Sequence, residues 1–141
     1  MKYIKYDNQY ILRIDKNEEI IHTIKDFCER MNITNGTITG IGSTNKVTFG
    51  IYNTIEKGYI NKTLEGEMEI TSLNGNISTK NSKIYLHIHI NIANENLQVF
   101  GGHLNECYVS ATTEIVINKI NGFANRKFDD EIGLNLYDFT V

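Results

Sequence analysis

The stretch from Lys83 to Leu104, KIYLHIHINIANENLQVFGGHL, constrains this chain more than any other. It opens with strict alternation: Ile84, Leu86, Ile88, Ile90 and Ile92 fall on one face, and Tyr85, His87, His89 and Asn91 on the other. A strand sends successive side chains to opposite faces, so this pattern predicts a strand with one apolar face and both histidines on the opposite one. A turn is expected around Ala93-Asn94-Glu95-Asn96, then a second apolar run from Leu97 to Phe100 and the segment Gly101-Gly102-His103. Two glycines inside a strand pattern signal a bulge or a close approach by another group. If the two runs pair as a hairpin, His103 meets His87 and His89 from the neighbouring strand.

Three neutral imidazoles are a known zinc ligand set, and a fourth position left open marks a reactive site rather than a structural one. The plain alternative is that a solvent-facing strand needs polar residues and histidine serves as one. An anion is a second alternative occupant of such a pair.

The remaining signals narrow the class. With 141 residues, one domain over 1–141 is expected, large enough to bury a real core. The net charge of −3 and the lack of any basic run argue against binding nucleic acid by phosphate neutralisation; Lys80, Lys83 and the pair Arg126-Lys127 are too sparse. Two cysteines make no disulfide framework. Cys28 reads as a small buried hydrophobe, and Cys107 as packing or a fourth soft ligand. No apolar run approaches a membrane span, and MKYIKYDNQY has no signal-peptide core, so a cytoplasmic protein is expected.

In chain order, residues 1–15 read as a hairpin turning at Asp7-Asn8. Asp15 or Asn17 then caps a helix whose apolar stripe is Ile20, Ile21, Ile24, Phe27, Cys28 and Met31, ending near Asn32. His22 lies off that stripe and is expected in solvent. Thr37 to Ser43 reads as a strand ending in glycines; Gly40-x-Gly42-Ser43 lacks the helix a phosphate loop requires. Further strands are expected over 46–55, 59–64 and 66–73, the last with Met68, Ile70 and Ser72 sharing one face. Asn74-Gly75-Asn76 reads as a turn. Residues 111–120 form another strand, in which Glu114 is a surface residue or a carboxylate placed beside the histidines as a hydrogen-bond partner or proton acceptor. Residues 123–141 close the chain with a strand or two. One helix and about eight short strands make an α+β domain with one main helix on a largely antiparallel, barrel-like sheet.

Five segments in order, GIGS at 40–43, GEMEITSLNGNI at 66–77, LHIHI at 86–90, GGHL at 101–104 and TEIVI at 113–117, closely resemble the PPC domain shared by plants and prokaryotes. The resemblance runs along nearly the whole chain. It implies one main helix against an antiparallel sheet, assembled as a homotrimer. In plant nuclear proteins this domain follows AT-hook DNA-binding motifs and mediates protein–protein contacts; a chain without proline carries no Arg-Gly-Arg-Pro hook, so the resemblance is to the stand-alone prokaryotic type. By resemblance, Gly66, Met68, Glu69 and Ile70 match the family's partner-contact motif, with Met68 where an aromatic is usual. His87, His89 and His103 match the family's histidines, which favours a metal site, with zinc the best fit to neutral imidazole.

Three functions compete. One is a trimeric binding or regulatory module with a protein or small-molecule partner. Another is a small zinc-dependent hydrolase or lyase, with Glu114 or Glu69 moving the proton. The third and weakest is direct DNA binding.

Overall fold

The structure is a computed structural model that describes residues 1–139. Its elements are β1 (Lys2–Tyr6), β2 (Gln9–Asp15), α1 (Ile20–Arg30), β3 (Gly36–Asn53), β4 (Gly58–Lys80), β5 (Lys83–Ala93), β6 (Val99–Lys119), β7 (Asn125–Asp129) and β8 (Leu134–Asp138). The sheet is almost wholly antiparallel. β3 pairs with β4 and β6, and β5 also pairs with β4 and β6, so four strands close a ring. The β1–β2 hairpin extends the sheet beyond β6, and the β7–β8 hairpin touches β4 through the single parallel pair Thr79 and Asn125. Thr140 and Val141, part of the expected closing segment, lie outside the described residues.

The expected α+β architecture with one helix stands, but the strands are not uniformly short. β3, β4 and β6 run for 18, 23 and 21 residues and absorb breaks that the sequence suggests. Asn74-Gly75-Asn76 is not a turn: it lies mid-strand, with Gly75 opposite both Ile38 and Ile88. A Cβ on Gly75 would sit 2.5 Å from the His87 carbonyl oxygen, so glycine is needed there for close strand approach. The real reversal is Asn81-Ser82, both at positive φ, between the paired Lys80 and Lys83. That is the twist a two-residue hairpin demands, made here without glycine. Gly40 and Gly42 likewise lie inside β3, paired on both sides, and do not end the strand.

Bulges decide which residues face inward. A register shift between Ile70 and Ser72 breaks the alternation of β4, so Leu73 joins Met68 and Ile70 in the core in place of Ser72. The core gathers Ile88, Ile90 and Ile92 of β5, Leu12 and Ile14 of β2, and Ile115 and Ile117 of β6 against Ile20, Ile24, Phe27 and Cys28 of the helix. Ile21 and Met31 of the expected stripe pack at its margin.

The helix starts later than expected, and neither Asp15 nor Asn17 caps it. Glu19 does: its carboxylate accepts from the Ile21 and His22 backbone N–H groups at 3.1 and 2.6 Å. The same carboxylate accepts from Cys107 N at 3.0 Å, which ties the helix start to β6. A side chain one carbon longer than the expected aspartate or asparagine cap reaches both elements, and that second partner is invisible locally. His22 is exposed and pairs with Asp26 at 3.2 Å, as a surface residue.

Candidate metal centre

The alternation of β5 survives folding. Ile88, Ile90 and Ile92 are buried, while Tyr85, His87, His89 and Asn91 project from the other face. β6 returns antiparallel with His103 directly opposite His89. Directly opposed side chains in such a pair start only about 5 Å apart at Cβ. Gly102 makes the pairing possible on its far side, since a Cβ there would lie 2.5 Å from the Gly50 carbonyl oxygen of β3.

The three imidazoles meet. Ring centroids are 5.1 Å apart for His87–His89, 5.2 Å for His87–His103 and 5.7 Å for His89–His103. His87 Nε2 and His89 Nε2 face each other at 3.2 Å. One nitrogen atom from each of the three lies within 4.8 Å of the others. Two nitrogens bound tetrahedrally at about 2.0–2.1 Å from zinc are separated by roughly 3.3 Å, so the His87–His89 spacing already fits, and a His103 nitrogen lies within 4.8 Å of both. His103 Nδ1 is buried without a hydrogen-bond partner among the described residues. A buried polar atom left unpaired is costly, and a cation or a bound water offers it one. The donor set therefore fits a metal.

Burial, followed by the neighbouring His103, His89 and Arg126 charges, pushes His87 down to about 4. Burial and His89 lower His103 as well. Both are therefore neutral at pH 7, the form a metal requires. The metal-free protein therefore loses stability toward acid. The unfolded chain protonates His87 near its ordinary 6.5 while the folded chain resists to about 4. Below pH 6.5 the unfolded state therefore binds more protons, and stability falls as pH falls across that window. Urea midpoints of metal-free protein between pH 7.5 and 4 should decrease, and the decrease over this range should shrink when His87→Gln removes the titrating group.

The carboxylates proposed for proton transfer are elsewhere. Glu114 lies opposite Arg13 and Ile41, and eleven residues along β6 from His103 amount to about 35 Å. Glu69 pairs with Ala93, four residues beyond His89, roughly 13 Å along the strand. No carboxylate among the described residues joins the histidine group.

Cys107 is not a fourth ligand. Simple alternation from His103 would put it on the histidine face, but an extra residue at Asn105 shifts the register between Thr48 and Phe49 and turns Cys107 inward. It is fully buried, and burial pushes its thiol up to about 12. Of the partner-contact motif, Met68 and Ile70 point into the core, while Gly66 and Glu69 remain accessible. What the sequence reading missed is the company of the histidines. The Tyr59 ring lies 4.7 Å from His103, and the Arg126 guanidinium of β7 lies 5.1 Å from the centre of the Tyr85 ring, two residues before His87 on the same face. Neither has a sequence signal; Tyr59 opens a strand like any aromatic, and Arg126 looks like half of a sparse basic pair.

One helix on a ring of long antiparallel strands, with three convergent imidazoles on the face away from the core, defines a class of small sheet protein built around a candidate metal centre. The family model for the Plants and Prokaryotes Conserved (PCC) domain matches residues 1–121, and the chain belongs to that family, the PPC domain of the resemblance above. Three solved structures are similar. A candidate DNA-binding protein from Bacteroides thetaiotaomicron shares 35% identity at a TM-score of 0.95, over 98% of this chain and 96% of that one. A metal-containing protein from Archaeoglobus fulgidus shares 32% at 0.87, over 97% and 99%. A plant- and prokaryote-conserved protein from Pyrococcus horikoshii shares 32% at 0.86, over 97% and 93%. No curated protein matches the chain. No helix among the described residues is long and apolar enough to cross a membrane.

Proposed function

We propose that this chain is a zinc-binding interaction module: His87, His89 and His103 hold one zinc with a position left open, and the chain assembles as a homotrimer that engages a protein or small-molecule partner in a regulatory role. The observation that carries this reading is the convergence of three imidazoles whose nitrogens lie within 4.8 Å of one another. The description of the Archaeoglobus relative as metal-containing supports it. Self-assembly draws support from an apolar band in which exposed Ile4 pairs with exposed Ile11, Ile11 with half-buried Val116, and exposed Ile41 lies on the adjoining strand. A contiguous exposed apolar surface of this kind calls for a covering partner. The buried, unpaired Cys28 and Cys107 suit a reducing cytoplasm.

A zinc-dependent hydrolase or lyase is the second reading. The open metal position and the nearby Tyr59 and Arg126 favour it; the distance of Glu69 and Glu114 weighs against a carboxylate base. Two relatives are candidate DNA-binding proteins, but a net charge of −3 offers little phosphate neutralisation.

The test is metal analysis of protein purified without a histidine tag, combined with its mass in solution by light scattering. About one zinc per chain in a trimer is expected. A metal-free monomer that takes up no added zinc would sink the proposal.

A further inference from the structure

Beside the histidines lies an open depression of about 420 Å³, whose polar lining is Thr37 of β3, Asn74 and Asn76 of β4, and His87 and His89 of β5. That volume falls in the range of small-molecule sites. Strand register builds it. Asn76 lies directly opposite His87 and Asn74 directly opposite His89, while Thr37 lies opposite Asn76 from the other side. Opposed side chains share a face and start only about 5 Å apart at Cβ. The depression and the candidate metal centre therefore share a wall, because His87 and His89 belong to both.

No lysine, arginine or carboxylate lines the depression. On neighbouring rows of the same face, polar side chains pair with one another: Asn91 Nδ2 donates to Ser72 Oγ at 3.0 Å, and Gln9 Nε2 to Asn118 Oδ1 at 2.9 Å. The carboxamides of Asn74 and Asn76 make no such bond to a described residue. Each offers two donors and an acceptor, and the Thr37 hydroxyl both donates and accepts. A phosphate or an ammonium meets no counter-charge among these side chains, whereas a group that donates and accepts finds a match at every one. Residues two apart on one strand face lie roughly 6.5–7 Å apart at Cα, so Asn74 and Asn76 grip two separated points. One amide or one hydroxyl cannot reach both. A run of hydroxylated carbons presents a donor and an acceptor at each.

We propose that this depression binds an uncharged polyhydroxylated ligand, of the sugar or polyol class, held by Asn74, Asn76 and Thr37 against His87 and His89. The proposal names the small-molecule class for the function proposed above and rests on that reading for a ligand at this face. It does not require zinc, since the three gripping side chains stand outside the group of candidate metal ligands.

The experiment uses the full-length protein, metal-free and zinc-loaded, and follows its amide signals by proton–nitrogen NMR as xylitol, an uncharged open-chain polyol, is titrated. The side-chain amide signals of Asn74 and Asn76, identified by their loss in Asn74→Ala and Asn76→Ala, should move saturably. Acetamide and inorganic phosphate should not move them saturably. The double variant, read from the backbone amides of β4 and β5, should bind xylitol about tenfold or more weakly and take up zinc with unchanged stoichiometry. Zinc uptake without a saturable response to xylitol leaves the metal centre standing and overturns the polyol site. A saturable response to xylitol without zinc uptake removes the metal reading and leaves the polyol site. An equal response to acetamide, a response to phosphate alone, or xylitol binding that the double variant leaves untouched overturns the proposal. If the double variant does not fold, the single variants and the three-probe comparison on the wild-type protein decide.

Discussion

Zinc at a thousandfold its dissociation constant should raise the melting temperature of the protein by about 10 °C, and the double variant His87→Ala/His89→Ala should show no rise. A ligand that binds only the folded state adds about 4 kcal/mol at that ratio. For a chain of this length each kcal/mol moves the midpoint by roughly 2–4 °C. The comparison isolates the metal, because the histidines contribute little to the core: they project from the face of β5 opposite Ile88, Ile90 and Ile92. Without zinc the two proteins should melt close together, since three imidazoles facing one another with His103 Nδ1 unpaired are a poor source of stability. An equal zinc-induced rise in the double variant would place the metal elsewhere; no rise in either protein would leave the histidines as polar strand residues.

The largest structural loss should come from Phe27→Ala, at about 3–5 kcal/mol. Phe27 is fully buried at the centre of the helix–sheet interface. Tyr3 and Tyr10 meet it edge-on at centroid distances of 5.0 and 5.4 Å, so truncation opens a cavity and removes two aromatic contacts at once. Neither the helix nor the β1–β2 hairpin contributes a histidine to the site. Chemical denaturation should therefore show the full loss, while the fraction that remains folded should still bind one zinc per chain. A loss below about 1 kcal/mol would mean that the helix does not cover the sheet as described.

Much of the fold and the centre of the site were legible because they rest on local periods. Alternation from Ile84 to Ile92 placed His87 and His89 on one face whatever β5 would pair with, and the 3.6-residue stripe from Ile20 to Cys28 required a helix with one buried side. The turn near Asn94 set β6 antiparallel to β5, and that brought His103 across. Five short motifs in order pointed to the family.

Tertiary structure decided what depends on partners distant in sequence. Asn74-Gly75-Asn76 has the composition of a turn, yet Gly75 serves strands on both sides of it. One extra residue at Asn105 sent Cys107 inward, and one near Thr71 sent Leu73 inward, reversing a face that alternation alone had assigned. Glu114 kept its place in a strand, but the length of β6 carried it away from the histidines. Arg126 reached Tyr85 of β5 only because a closing hairpin docks on β4 beside Ser78. Alternation and helical period are properties of a few consecutive residues, and a sequence displays them directly. Register, bulges and ring closure are set by which long strands find each other, so the burial of Arg126 between Tyr85 and Tyr137 appears only once the sheet has closed.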